Sequence, residues 1–148
     1  MKFLITLSLL FSLSSFAHDE GHGPKLTDSP RQGGVLTSVI MAKEANIGTK
    51  AKMIYKSELT RTTDGTVRLY IYDQNMNPVD LKRFGPTAKA TLISRVKKGT
   101  YDKAAFELKA GEGYFVGKSP APKKKPYSID VALKEGENTL LSAFDNLD

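Results

Sequence analysis

An all-β domain, built as an antiparallel β-sandwich, is predicted by three observations. Apolar residues recur at every second position, Gly, Pro, Asn and Asp interrupt the chain at short intervals, and helical periodicity is never sustained for more than about 12 residues. Roughly six to eight short strands at this spacing suit two packed sheets.

The first element in chain order is an export leader over residues 1–17. Lys2 gives a positive start, Phe3 to Phe16 is an apolar run broken only by Thr6 and serines, and Ser15-Phe16-Ala17 supplies the small residues a signal peptidase reads. The run is too short to hold the chain in a bilayer, which takes about 20 apolar residues. Removing the leader leaves 131 of the 148 residues, the length of one compact domain. The chain has no cysteine, which excludes a disulfide scaffold, thiol catalysis and thiolate metal sites. Twenty-two basic against 16 acidic residues give +6, or +5 once Lys2 leaves with the leader. That balance favours anionic partners over neutral ones. The lysines are scattered instead of forming a stripe interleaved with aromatics, so nucleic acid is not an expected partner.

Residues 18–34 hold Gly21, Gly23, Gly33, Gly34, Pro24 and Pro30 with few apolar side chains, and read as a flexible arm. The β domain then spans 35–148. Met41 to Ala45 suits a helical turn or an extended stretch equally. A β-hairpin is predicted over 51–72: Met53, Tyr55 and Leu59 share one phase, Thr62-Thr63-Asp64-Gly65 turns the chain, and Val67, Leu69 and Ile71 resume the alternation. Turn formers crowd 73–78, and Pro78 cannot donate to a ladder, so only a short edge strand is expected over 79–81. Further strands are expected over 88–96, 103–109, 114–117 and 127–133. Leu140, Leu141, Phe144 and Leu147 fit either a docked helical turn or a last strand followed by coil.

The two histidines, His18 and His22, both lie in the arm, beside Asp19 and Glu20. With cleavage after Ala17, the α-amine and imidazole of His18 can chelate a borderline metal such as copper or another divalent transition metal, with His22, Asp19 or Glu20 completing the site. An unstructured solvated end is the plainer alternative. With no histidine or cysteine after His22, triad-type nucleophilic catalysis lacks a rigid base, and no pair of carboxylates marks a cleft, so an enzyme is not expected. Lys123-Lys124-Lys125, between Pro122 and Pro126, forms an exposed extended segment able to meet an anionic surface or simply to stay solvated. Tyr70, Tyr72, Tyr101, Tyr114 and Tyr127 offer either a recognition patch or ordinary sheet-rim packing.

The start His18-Asp19-Glu20-Gly21-His22-Gly23, the Gly33-Gly34-Val35 entry, Tyr55-Lys56-Ser57-Glu58-Leu59 and Gly65-Thr66-Val67-Arg68-Leu69-Tyr70 running into Asn77-Pro78-Val79-Asp80-Leu81 resemble small exported immunoglobulin-like domains that accompany bacterial heavy-metal efflux adaptors. His18, Lys25-Leu26 and Ser29-Pro30 also resemble the start of periplasmic copper carriers of the same fold class, which draw further ligands from the folded body. The resemblance implies an immunoglobulin-like sandwich in the periplasm or outside the cell, acting beside an envelope protein or efflux component. The expected role is a non-catalytic envelope accessory that binds a transition metal weakly through His18, His22, Asp19 and Glu20. Its rival is a module that meets a protein or an anionic surface without metal.

Overall fold

Alternation becomes eight strands: β1 (Val35–Met41), β2 (Met53–Arg61), β3 (Thr66–Tyr72), β4 (Thr87–Lys97), β5 (Thr100–Ala110), β6 (Phe115–Lys118), β7 (Tyr127–Glu135) and β8 (Asn138–Leu147). The computed structural model describes residues 22–148. The leader, His18, Asp19 and Glu20 lie outside the described residues. The predicted hairpin is present as β2 and β3, paired from Lys56↔Tyr72 to Arg61↔Val67, with Gly65 at φ 84° in its turn. A side chain at Gly65 would strain that left-handed turn.

The predicted immunoglobulin-like sandwich is corrected to a closed eight-stranded antiparallel barrel in the order β1-β2-β3-β6-β5-β4-β7-β8. Closure depends on two narrow seams. β1 meets β8 only through Ile40↔Leu141 and Met41↔Leu140, and β5 meets β6 only through Lys109↔Val116 and Ala110↔Phe115. A period-2 pattern is the same whether strands face each other across a sandwich or around a barrel. The choice lies in those four long-range or short-run pairs, and nothing in local alternation encodes them.

Two smaller expectations also change. No strand forms over 79–81; a single Tyr72↔Pro78 bridge is followed by a 3-10 turn, Leu81–Arg83, whose start is capped by the Asp80 carboxylate accepting from Lys82 N at 3.0 Å. Residues Ala42–Lys50 form 3-10 turns, and the C-terminal apolar cluster belongs to β8, a strand.

The barrel interior is filled by side chains. Leu59, Leu69, Leu108, Phe115, Ile129, Leu133, Leu140 and Phe144 are all buried in one cluster, and Phe84 from the β3–β4 connection packs against it, its ring 5.5 Å from Tyr55 and 6.3 Å from Phe115. Eight strands enclose just enough room for such a core. Charged and polar residues such as Arg68, Lys89, Thr91 and Glu107 take the outward phase. That is the reverse of the pattern on a lipid-facing barrel. Among the described residues, no helix is long and apolar enough to cross a membrane.

Candidate functional site

Four outward-facing positions on one wall are buried although no strand covers them: Ser38 and Ile40 on β1, Lys56 and Glu58 on β2. Residues 22–34 lie over them without forming strand or helix. Gly23 sits so close to Ser38 and Ile40 that a Cβ would collide with Ser38 Oγ and Ile40 Cγ2. Lys56 Nζ donates to Asp28 Oδ2 at 2.6 Å and to the Gln74 carbonyl at 2.8 Å. Glu58, fully buried, gathers the end of the segment. Its Oε1 accepts from Gln32 N at 2.8 Å and Gly34 N at 2.9 Å, and its Oε2 from Arg31 N and the Tyr72 hydroxyl, each at 2.9 Å. Both carboxylate oxygens are thereby satisfied, which a buried acid requires. Burial, reinforced by the hydrogen bond to Glu58, pushes the Tyr72 hydroxyl up to about 12.

The start of this segment carries the one histidine that the structure describes. His22 Nε2 lies 2.9 Å from Asp145 Oδ2 on β8, and Ser128 on β7 donates its hydroxyl to Asp145 Oδ1 at 2.7 Å. A shallow hollow of about 420 Å³ adjoins it, lined by residues of the segment and by Leu36, Thr37 and Thr49. Of the predicted metal donors, His18, Asp19 and Glu20 lie outside the described residues. Among the described residues, no three His, Asp or Glu side chains come together as a metal-binding group.

The barrel mouth offers a second feature. The β2–β3 turn and the β6–β7 loop (119–126) flank a cleft of about 470 Å³. Arg61 donates to the Tyr127 hydroxyl and, at 2.9 Å, to the Asp148 carbonyl, with its guanidinium 5.2 Å from the Tyr127 ring. Lys118 pairs with Asp64 at 2.5 Å; that bond and those from Thr62 and Thr66 hold the Asp64 carboxyl well below the usual range. In the loop, Lys123 is drawn to Asp102 on β5 at 2.8 Å, while Lys124 and Lys125 stay exposed.

The opposite end is closed by Tyr55, whose hydroxyl donates to Glu135 Oε1 at 2.6 Å; Arg83 Nε reaches the same oxygen at 3.3 Å. Burial, then the hydrogen bond to Glu135, raises the Tyr55 hydroxyl to about 12. Of the two roles open to the tyrosines, rim packing is the one these contacts fit, since Tyr70 and Tyr114, Tyr72 and Tyr127 pack at separate places. Tyr70 and Tyr114 meet at a tilt of 51° with centroids 5.3 Å apart, Arg68 lies 5.6 Å from the Tyr114 ring, Tyr72 is buried against Glu58, and Tyr127 lies under Arg61.

Sequence reading singled out His22 but missed Asp145, Glu58, Lys56 and Asp28. Lys56 and Glu58 occupy the phase opposite Tyr55 and Leu59, which in an isolated hairpin faces water. Only the segment that crosses them reveals their burial. No family model, curated protein or solved structure matches this chain.

Proposed function

We propose that this chain is an exported, non-catalytic accessory protein of the envelope, periplasmic or secreted, that holds a transition metal weakly through its N-terminal histidine arm. One contact supports the reading: the 2.9 Å approach of His22 Nε2 to Asp145. A carboxylate that takes one ring nitrogen fixes the tautomer and orientation of an imidazole and raises its basicity as a ligand. Ser128 holds that carboxylate in turn. The described residues supply one imidazole and its carboxylate, so the remaining donors would come from His18, Asp19 and Glu20. Such a set suits copper or another borderline divalent ion. Coordination needs deprotonated imidazole, so affinity falls as pH drops toward the ordinary histidine value of about 6.5.

Copper(II) titration of the processed protein, followed by electron paramagnetic resonance, tests this. A His18→Ala/His22→Ala double variant loses the bound signal, and Asp145→Asn weakens binding by about tenfold or more. Equal binding by wild type and double variant rejects the metal role.

A second reading rests on the mouth, where exposed Lys124 and Lys125 stand beside the cleft, and Lys125 lines it. In this reading the loop meets an anionic envelope component without metal. Salt-sensitive sedimentation with anionic vesicles, lost in Lys124→Ala/Lys125→Ala, supports it; equal sedimentation of the variant rejects it.

A further inference from the structure

The β4–β5 hairpin outruns the barrel wall. Both strands have eleven residues, and β4 is paired to β7 only as far as Ser94↔Tyr127. Beyond that point Arg95 and Lys97 pair only with Tyr101 and Thr100, across a tight turn in which Gly99 takes φ 74°. Every residue from 95 to 101 is exposed. The ladder slips by one residue between Arg95 and Lys97, which makes Val96 the extra residue of a bulge. A bulge bends its strand and re-aims the side chain it carries. Val96 is 38% and Tyr101 42% exposed, so this tip holds two of the four large apolar side chains left exposed among the described residues.

Cations surround that apolar tip. Arg95, Lys97, Lys98 and Lys103 are exposed, and among the described residues none of them has an ion-pair partner. The one acid between 95 and 103 is Asp102, and it accepts from Lys123 Nζ at 2.8 Å. That bond draws the 119–126 loop against the hairpin, and Pro126 borders the same hollow of about 210 Å³ as Arg95 and Tyr101. Exposed Lys124 and Lys125 thereby extend the basic surface of the hairpin. We infer that the hairpin tip docks on an anionic bilayer, with Val96 and the Tyr101 ring entering the headgroup layer and the surrounding cations meeting lipid phosphates. Cations alone would serve a dissolved polyanion equally well. A bulged valine and an aromatic ring at the apex are useful where an apolar layer lies beneath the charge. Lysine and arginine suit the rim of such a contact, since their stems lie along apolar surface while their heads stay with the phosphates. The inference rests on the anionic-surface reading above for its class of partner, and names the bilayer and the hairpin that enters it.

The test uses the mature chain at low salt with vesicles of equal parts phosphatidylglycerol and phosphatidylcholine, against vesicles of phosphatidylcholine alone. Circular dichroism confirms that each variant keeps its β spectrum. The wild type sediments with the anionic vesicles only. Lys97→Ala/Lys98→Ala lowers partitioning by about tenfold or more. Val96→Asp lowers it too, yet leaves binding to dextran sulfate unchanged. The chain has no tryptophan, so Val96→Trp reports insertion: its emission shifts to the blue on anionic vesicles and is quenched by lipids brominated in their acyl chains. A control Lys89→Trp, toward the other end of β4, shows neither change. Loss of sedimentation in the hairpin variants but not in Lys124→Ala/Lys125→Ala upholds the hairpin and rejects the loop; the opposite pattern rejects the hairpin and upholds the loop. A wild type indifferent to the anionic lipid overturns both. An unquenched Val96→Trp, or a Val96→Asp chain that sediments like wild type, overturns insertion of the tip.

Discussion

The β1–β2 wall and the β4–β5 hairpin belong to one barrel, yet residues 22–34 cover the outer face of the first, while among the described residues none crosses the exposed outer face of the second. Each wall carries a lysine and a glutamate on its outward phase. Lys56 and Glu58 are 6% and 0% exposed, whereas Lys103 and Glu107 are exposed. The difference lies in what crosses the strand. Where the N-terminal segment passes, each buried charge is matched atom by atom, Lys56 by Asp28 and Gln74 and Glu58 by four donors. Where no segment passes, the charges stay in water. Burial of a charged group here records a tether, and exposure records the absence of one among the described residues.

Breaking the covered wall has the largest effect. Glu58→Ala leaves three backbone N–H groups and the Tyr72 hydroxyl without their acceptor, and urea unfolding should show a loss of about 3–5 kcal/mol. Gly34→Ala is next. Its Cβ would collide with the Leu59 carbonyl, and the resulting displacement should cost about 1–3 kcal/mol in the same assay.

Alkaline pH separates the covered wall from the barrel base. Tyr72 and Tyr55 are both raised from the ordinary 10 to about 12, so the fold favours their neutral forms. Their contribution is complete below pH 10 and is lost as pH rises toward 12. Thermal melts should fall across that window, and the fall should be roughly halved in Tyr72→Phe, with Tyr55 supplying the remainder. An unchanged slope would mean that the Tyr72–Glu58 bond does not persist in solution.

The smallest effect is expected on the bare wall. Glu107→Ala should change stability by no more than about 0.5 kcal/mol. A loss matching that of Glu58→Ala would erase the contrast between the walls.

The strands were legible in the sequence because their signals are local. Thr62-Thr63-Asp64-Gly65 between two alternating runs specifies the β2–β3 hairpin within some twenty residues. Barrel closure was not legible, since β1 and β8 come from opposite ends of the domain and touch through two residue pairs. At the candidate site, His22 was visible by its residue type. Asp145, which holds it, resembles any strand-end acid until β8 is placed beside β1. The arm's attachment was hidden for the same reason. Residues 22–34 bring few apolar side chains, and what ties them down is polar contact with Lys56 and Glu58, two residues that alternation alone assigns to solvent.

Amide hydrogen exchange, followed by NMR on the dilute protein, tests the contrast most directly. The account predicts that the Arg31, Gln32 and Gly34 amides, which donate to Glu58, exchange as slowly as amides within β2, while those of Lys103 and Ala105, on the β6 side of β5 but beyond the two pairs that join it to β6, exchange at nearly the rate of unfolded chain. Fast exchange at Gln32 and Gly34, or strong protection at Lys103 and Ala105, would contradict it.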